Sequence, residues 1–321
     1  MTEKIVVLDP ITDMTAKRLR ALLPQGFVLA YAATRGEEHL KEIIADADYA
    51  IAGQVAVSGD VLRAANKLKL LHKWGVGVDN FDLDTARACG LRVARTTGSN
   101  ALPVAEFTIG LILTAMRGIA FGHAELRKGE WAAGRLPAET FLLSGKTVGI
   151  IGFGAIGTNL ARLLRSFGCE ILYNKRNRLE QAEEETLAVS YASVDDLLSK
   201  SDVVSLNCPL TPETAGLINK SSLHMMKKTA VLVNVARGGV VIEEDLVQAL
   251  RDGIIHSAAM DVFEIEPLPS YSSLRTVDNI VLTPHLAAIA ADTFVRNANH
   301  MLENIQRVSR REPLPERDVV V

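Results

Sequence analysis

A glycine-rich turn between a strand-like and a helix-like segment constrains the fold of this chain more than any other feature. Residues 147–157 read TVGIIGFGAIG, and a helical pattern at 158–167 and an apolar run at 170–173 follow. In this context the first glycine makes the turn, the second admits a pyrophosphate, and the third lets helix and strand pack closely. The pattern predicts a dinucleotide site, with a turn that binds no ligand as the alternative. The residues of this turn that we expect to contact the dinucleotide are Gly152, Gly154, Ala155, Ile156 and Gly157.

The position of the turn and the composition predict two domains in a cytoplasmic protein. The turn lies near the middle of 321 residues, which leaves room for another domain before it. Hydrophobic residues make up 48% of the chain and the net charge is −3, which allows a large core and gives no electrostatic reason to bind nucleic acid. No segment resembles a signal peptide or a membrane span. Three widely spaced cysteines without metal-ligand spacing are interpreted as buried thiols in a reducing compartment, and no metal site is expected.

Short apolar strands alternate with helical patterns on both sides of the turn. The first set of strand patterns lies at residues 5–8, 27–30, 49–52, 68–73 and 91–94. The second set lies at residues 148–151, 171–173, 203–207, 231–235, 257–260 and 280–282. Continuous apolar runs indicate strands covered on both faces, as in parallel sheets. The predicted fold is therefore α/β, with two Rossmann-like or flavodoxin-like domains, each with a parallel sheet, and the active cleft between them. We predict that residues 1–98 with 289–321 form a substrate (lid) domain and that 99–288 form the dinucleotide-binding domain.

The segment between the two sets of strands predicts a long helix and then an arm. Residues 103–117 have a helical pattern. Residues 118–144 contain glycines, mixed polarity and no clear period, which favours a loop or arm. We expect this arm to contact a second subunit in a homodimer.

Three polar residues near the ends of the later strand patterns are candidates for chemistry on an alcohol or carbonyl. A nicotinamide enzyme needs a group that transfers the hydroxyl proton and a cation that holds an anionic substrate. His285 and Arg237 supply these functions, and Glu266 would fix the tautomer of the histidine. Strand carboxyl ends are where ligands bind in open α/β sheets. The alternatives are an arginine that bonds strand-end carbonyls, a solvated carboxylate and a packed histidine.

A series of motifs, in this order, resembles the D-2-hydroxyacid dehydrogenase family over nearly the whole chain. They are GVGVDN at 75–80, TGSN at 97–100 with VAE at 104–106, GFGAIG at 152–157, CPLT at 208–211, NVARG at 234–238, DVFEIEP at 261–267 and TPH at 283–285. The resemblance implies a nicotinamide-dependent oxidoreductase acting on CH–OH groups. It implies that Arg237 binds the substrate carboxylate and carbonyl, that His285 is the general acid and base, and that Glu266 pairs with His285.

The same resemblance implies further contacts and shows two departures. Backbone amides at Val76 and Gly77 would hold the substrate carboxylate. The implied cofactor contacts are Cys208, Pro209, Val235, Ala236 and Asp261. Ala287 stands where the family usually has glycine, so nicotinamide packing is expected to differ slightly. No C-terminal regulatory extension, as in some phosphoglycerate dehydrogenases, is expected.

The residues after the second strand of the dinucleotide unit predict the cofactor. An NAD enzyme places Asp or Glu here to accept the ribose hydroxyls. This chain has Asn174, Lys175 and Arg176, with Arg178 close behind, and basic groups pair with a 2′-phosphate. NADP(H) is therefore predicted, and a solvated basic turn that also accepts NAD is the alternative.

The substrate is predicted from what the first domain lacks. Phosphoglycerate dehydrogenases that resemble this chain carry arginine after the strand at 49–51, where Ala52, Gly53 and Gln54 stand here. Small unphosphorylated 2-oxoacids, glyoxylate and hydroxypyruvate, are therefore expected. Lys73 is expected to reach solvent, with contact to a second anionic group as the alternative.

Two other functions stay open: a phosphoglycerate dehydrogenase without a regulatory domain, and a corepressor-like protein that senses the dinucleotide without turnover. The presence of Arg237, Glu266 and His285 together favours an enzyme.

Overall fold

The computed structural model describes residues 2–136 and 139–321 and divides into two compact units. Unit 1 comprises Met1–Asn100 and Ala290–Val321, and unit 2 comprises Ala101–Ile289. Each unit is an α/β layer structure with its own parallel sheet, which confirms the predicted fold class.

The secondary structure alternates along the chain. The strands are Glu3–Val7 (β1), Phe27–Tyr31 (β2), Tyr49–Ala52 (β3), Leu70–Lys73 (β4), Arg92–Arg95 (β5), Thr147–Ile151 (β6), Glu170–Asn174 (β7), Val189–Tyr191 (β8), Val203–Leu206 (β9), Val231–Asn234 (β10), Ser257–Met260 (β11) and Ile280–Leu282 (β12). The α-helices are Asp13–Leu22 (α1), Glu37–Ile44 (α2), Gly59–Ala64 (α3), Leu83–Ala88 (α4), Ala101–Arg117 (α5), Ile119–Arg127 (α6), Ala155–Arg165 (α7), Gln181–Leu187 (α8), Val194–Lys200 (α9), Lys220–Met225 (α10), Glu243–Arg251 (α11) and Ala291–Ser309 (α12).

Unit 1 is built on a five-stranded sheet in the order β2-β1-β3-β4-β5. Both faces of its strand β1 are covered, as expected for a parallel sheet. Ile5 and Val7 pack in one apolar cluster with residues of α12, while Val6 packs in the cluster on the other face. The C-terminal helix therefore completes the core of unit 1.

Unit 2 is built on a seven-stranded parallel sheet in the order β12-β11-β10-β9-β6-β7-β8. The chain runs outward from β6 through β7 to β8, then returns to β9 on the other side of β6. Ligands of open α/β sheets bind at this reversal, beyond the carboxyl ends of the strands. The edge strand β8 was not predicted, because three residues are too few to show a period.

The predicted arm after α5 begins as a helix, so the prediction of a loop is wrong for Ile119–Arg127. This helix has no buried residue, which is why its sequence shows no amphipathic period. Gly118, with φ +60°, separates it from α5. Residues 137 and 138 of the predicted arm lie outside the described residues. Among the described residues no single helix has the length and apolarity to span a bilayer, and α5 with α6 passes that test only as a pair bent by 69°.

The cysteines differ in exposure, so the prediction of three buried thiols is wrong for Cys89, which is exposed. Cys169 is partly buried and Cys208 is buried, and burial raises the pKa of Cys208 to about 11. Within the described residues, no group of three or more His, Cys, Asp or Glu residues could hold a metal ion.

Candidate active site

His285 and Glu266 form a hydrogen-bonded pair beyond the carboxyl ends of β11 and β12. The Nδ1 atom of His285 lies 2.7 Å from Oε2 of Glu266. The other carboxylate oxygen accepts the backbone N–H of Phe263 at 3.1 Å. Burial acts to raise the pKa of Glu266, but the hydrogen bond and charge of His285, the N–H of Phe263 and the charge of Arg237 bring it below its ordinary value. The charged carboxylate keeps a proton on Nδ1, which leaves Nε2 to give or take a proton.

A buried aspartate holds the turn that presents His285. Oδ1 of Asp261 accepts the N–H of Leu286 at 2.8 Å and the hydroxyl of Thr283 at 2.6 Å, and Oδ2 accepts the N–H of Ala287 at 2.9 Å. His285 has φ +54°, a left-handed conformation that costs about 1–2 kcal/mol in a residue with a Cβ. Asp261 thus stabilises a strained backbone at His285. Its predicted contact with the nicotinamide stays a prediction.

Arg237 follows β10 in a turn held by Asn234. The amide of Asn234 donates to the carbonyl oxygen of Arg237 at 2.9 Å, and its oxygen accepts the N–H of Ala236 at 3.0 Å. The guanidinium donates to the carbonyl of Ala236 at 2.7 Å, as the alternative interpretation of this arginine expected. Its charge also acts on Glu266. The arginine is therefore both anchored to its own strand end and close to the histidine pair.

Gly238 brings the arginine turn against the loop that carries Glu266. A Cβ on Gly238 would lie 1.9 Å from the carbonyl carbon of Phe263. Real Cβ atoms do not approach this closely, so only glycine fits. The structure therefore brings together all three residues predicted to be catalytic.

The glycine-rich turn has the form expected of a dinucleotide site. Gly152 has φ +94°, and a Cβ there would lie 2.4 Å from the backbone nitrogen of Cys208. A Cβ on Gly157 would lie 2.7 Å from the carbonyl oxygen of Gly152. Gly154, by contrast, faces open space at the start of α7, where unpaired N–H groups and the helix dipole favour an anion. The turn therefore fits a pyrophosphate.

The basic cluster after β7 is partly used inside the protein. Arg178 donates to both carboxylate oxygens of Glu184, at 2.9 and 2.8 Å. These bonds, with one from Tyr173, lower the pKa of Glu184 to about 2. The side-chain amide of Asn174 donates to the carbonyl of Ala192 at 2.9 Å. Arg178 and Asn174 thus shape the turn.

Arg176 faces the loop after β9. A hydrogen bond from Thr211 lowers the pKa of Glu213, and the charge of Arg176 lowers it further. That loop contains Cys208 and Pro209, which were predicted to contact the cofactor. Arg176 is exposed and Lys175 is half-buried.

The predicted substrate loop belongs to unit 1, where it follows β4. Val76 and Gly77 are half-buried in it. The prediction that Lys73 reaches solvent is wrong: the residue is buried, and its ammonium donates to Oδ1 of Asn80 at 2.6 Å and to the carbonyl of Gly53. No local pattern indicated these contacts, since the partners are 7 and 20 residues away.

Comparison with known proteins identifies the family. Residues 109–287 match the model for "D-isomer specific 2-hydroxyacid dehydrogenase, NAD binding domain". Glyoxylate reductase of Aeropyrum pernix is 41% identical over 251 residues, which cover 77% of this chain and 75% of that protein. D-3-phosphoglycerate dehydrogenase of Methanocaldococcus jannaschii is 36% identical over 96% of this chain, which spans 58% of that protein's length. The crystal structure of TT0316 protein from Thermus thermophilus superposes with a TM-score of 0.87 at 32% identity, over 99% of this chain and 100% of that one. The chain therefore belongs to the D-2-hydroxyacid dehydrogenase family of nicotinamide-dependent oxidoreductases.

Proposed function

We propose that this enzyme reduces small unphosphorylated 2-oxoacids, glyoxylate and hydroxypyruvate, with NADPH. The observation that carries the proposal is the 2.7 Å contact between His285 and Glu266 beside Arg237. An acid–base pair beside a cation is what carbonyl reduction requires, whereas a protein that only senses the dinucleotide needs neither. The relative named glyoxylate reductase supports the choice of substrate.

The three residues divide the work of carbonyl reduction. Arg237 binds the substrate carboxylate and polarises the carbonyl oxygen. The nicotinamide, when bound, supplies a hydride to the carbonyl carbon. His285 gives its Nε2 proton to the carbonyl oxygen, so that the C=O double bond becomes a C–OH group. Glu266 stabilises the imidazolium before the transfer and holds the ring in place afterwards.

Different residues of unit 2 would hold different parts of the cofactor. The glycine turn and the first residues of α7 would hold the pyrophosphate. The Val235 and Ala236 backbone and Asp261 would lie toward the nicotinamide, and Cys208 and Pro209 would line the site. Lys175 and Arg176 would pair with the 2′-phosphate, while Arg178 is held by Glu184 and supports the turn.

We further propose that unit 1 supplies substrate contacts and that two copies of the chain associate. The backbone amides of Val76 and Gly77 would bind the substrate carboxylate. Exposed large apolar side chains line α6 and the described part of the segment after it. They are Ile119, Leu126, Trp131, Leu136 and Leu142, and Trp131 is 81% exposed. A surface of this kind favours a protein partner. Light scattering during gel filtration tests for the dimer.

A reducing, cytoplasmic location is proposed from the three free cysteines.

Initial rates with NADPH and NADH test the cofactor and the substrate. The oxoacids are glyoxylate, hydroxypyruvate, pyruvate and phenylpyruvate, with 3-phosphoglycerate in the reverse direction. We expect NADPH with glyoxylate or hydroxypyruvate to be fastest. Arg176→Ala should raise the KM for NADPH and leave that for NADH unchanged. Arg162→Ala, which removes an exposed charge from the last turn of α7, is the matched control. A preference of the parent enzyme for NADH would contradict the role given to Lys175 and Arg176.

One observation favours phosphoglycerate dehydrogenase as the second candidate. The guanidinium of Arg35 donates to Oε1 of Gln54 at 3.1 Å. The cationic side chain of Arg35, from the loop after β2, therefore lies beside the segment 52–54, in which the arginine of phosphoglycerate dehydrogenases is absent. Efficient oxidation of 3-phosphoglycerate that is lost in Arg35→Ala would establish this candidate in place of the first.

A further inference from the structure

We propose that Glu243 and Glu264 form a clamp that positions the catalytic loop, defined as residues 261–267. Neither residue is expected to touch the substrate. The inference rests on the proposed roles of Glu266 and His285 and assigns two positioning residues to the same reaction.

The two carboxylates exchange backbone hydrogen bonds between α11 and the catalytic loop. The N–H of Glu243, the first residue of α11, donates to Oε1 of Glu264 at 3.1 Å. The N–H of Glu264 donates to Oε1 of Glu243 at 2.7 Å. Each carboxylate thus accepts the main-chain N–H of the other residue. Two reciprocal bonds fix a separation and an orientation, whereas one bond leaves rotation about it.

The helix end explains why two negative groups lie side by side. Ile242, the cap residue of α11, makes no side-chain capping bond, so the carboxylate of Glu264 takes that place. The positive end of the helix dipole favours this charge. Burial raises the pKa of Glu243, the N–H of Glu264 opposes that rise, and the charge of Glu264 adds to it. The helix end and the N–H of Glu264 therefore both act against the repulsion between the two carboxylates.

The clamp acts on the peptide unit between Phe263 and Glu264. On one side this peptide contacts Gly238, directly after Arg237. In the preceding peptide unit, the N–H of Phe263 donates to the carboxylate of Glu266 that contacts His285. A shift of this peptide would therefore move Glu266 relative to both other catalytic residues. Misplacement of catalytic groups by about 1 Å can cost about 100-fold in rate.

Alanine and glutamine variants of the two residues test the clamp. Glu264→Ala and Glu243→Ala remove the accepting oxygens and should lower kcat about 10-fold or more, with little change in the KM for the cofactor. Glu264→Gln and Glu243→Gln keep an oxygen that accepts the N–H and should retain most of the parent kcat. Because the glutamine variants remove the charge as well, they separate the clamp from a charge effect. Glu244→Ala, an exposed carboxylate in the same turn, is the matched control.

Kinetic constants per folded molecule distinguish positioning from a loss of folded protein. In the alanine variants kcat per folded molecule should fall while the KM for the cofactor stays near that of the parent, because the clamp holds the catalytic loop and not the cofactor. Parent-like kcat in both alanine variants would overturn the proposal. Activity lost only in proportion to folded protein would also overturn it. His285→Ala, assayed with whichever oxoacid the parent reduces fastest, reports separately on the proposed function.

Discussion

The glycine-rich turn allows stability and cofactor binding to be perturbed separately. At Gly152 an added methyl group would lie 2.4 Å from a backbone nitrogen in the loop after β9, and φ is +94°. Overpacking costs about 1–3 kcal/mol, and a left-handed conformation costs an alanine about 1–2 kcal/mol more. Gly152→Ala should therefore lower the free energy of unfolding by about 2–5 kcal/mol, or the Tm by roughly 4–20 °C.

At Gly154 the same substitution meets no steric obstacle in the protein itself. Nothing lies within 4 Å of its Cβ position, and φ is −95°. The Tm of Gly154→Ala should therefore equal that of the parent or exceed it, since alanine restricts the unfolded chain by about 0.4–1 kcal/mol. The methyl group would, however, occupy the approach to the N-terminus of α7. Loss of one hydrogen bond to a charged group costs about 1.5–3 kcal/mol, or about 10- to 100-fold in Kd.

Two measurements on the same samples test this pair. Thermal unfolding without cofactor gives the Tm, and fluorescence titration with NADPH gives the Kd. We expect Gly152→Ala to have a lower Tm than the parent. We expect Gly154→Ala to have a Tm no lower than that of the parent and a higher Kd for NADPH. The reasoning is refuted if Gly152→Ala melts with the parent, or if Gly154→Ala binds NADPH as the parent does.

Three further substitutions probe the two units. His285→Ala should lose about 100-fold or more in kcat, as expected for a general acid, with the Kd for NADPH unchanged in fluorescence titration. Asp261→Asn should turn an amide donor toward the N–H of Ala287 and destabilise unit 2 by about 1–3 kcal/mol. Asp278→Asn, at an exposed position, is the control. Equal Tm values for these two variants would contradict the prediction. Burial lowers the pKa of His72 to about 4. Below about pH 6.5 the histidine is therefore protonated in the unfolded chain but stays neutral in the folded chain. The free energy of unfolding consequently falls by about 1.4 kcal/mol per pH unit between about pH 6.5 and about pH 4. Denaturant unfolding at pH 7 and pH 5 measures how much free energy of unfolding is lost between these pH values. This loss should be about 2 kcal/mol smaller in His72→Gln than in the parent, and an equal loss in both proteins would exclude His72 as the cause.

The parts of the fold that could be predicted are those with a clear local sequence pattern. The turn from Gly152 to Gly157 has a strand before it and a helix after it, and the continuous apolar runs of β9 and β10 mark buried strands. The elements that were missed have little local signal. The helix α6 buries no residue, and β8 is three residues long. A period cannot appear where packing does not impose one.

The candidate site shows the same division. Arg237, Glu266 and His285 were predictable because each follows a strand end, and the resemblance assigned their roles. The long-range contacts were not predictable, since they depend on tertiary structure. Glu184 captures Arg178 from the basic cluster, which reduces the charge left for a phosphate. The partners of Lys73 and the clamp on the catalytic loop likewise join residues that lie far apart in the sequence.

Oxidation of NADPH by glyoxylate, followed by absorbance in parent and His285→Ala at matched protein concentration, tests the central claim most directly. The account predicts that the parent forms one glycolate for each NADPH oxidised, while the variant binds NADPH but turns over about 100-fold or more slowly. A parent protein that binds NADPH and oxidises it with no 2-oxoacid would contradict the account and favour a dinucleotide sensor.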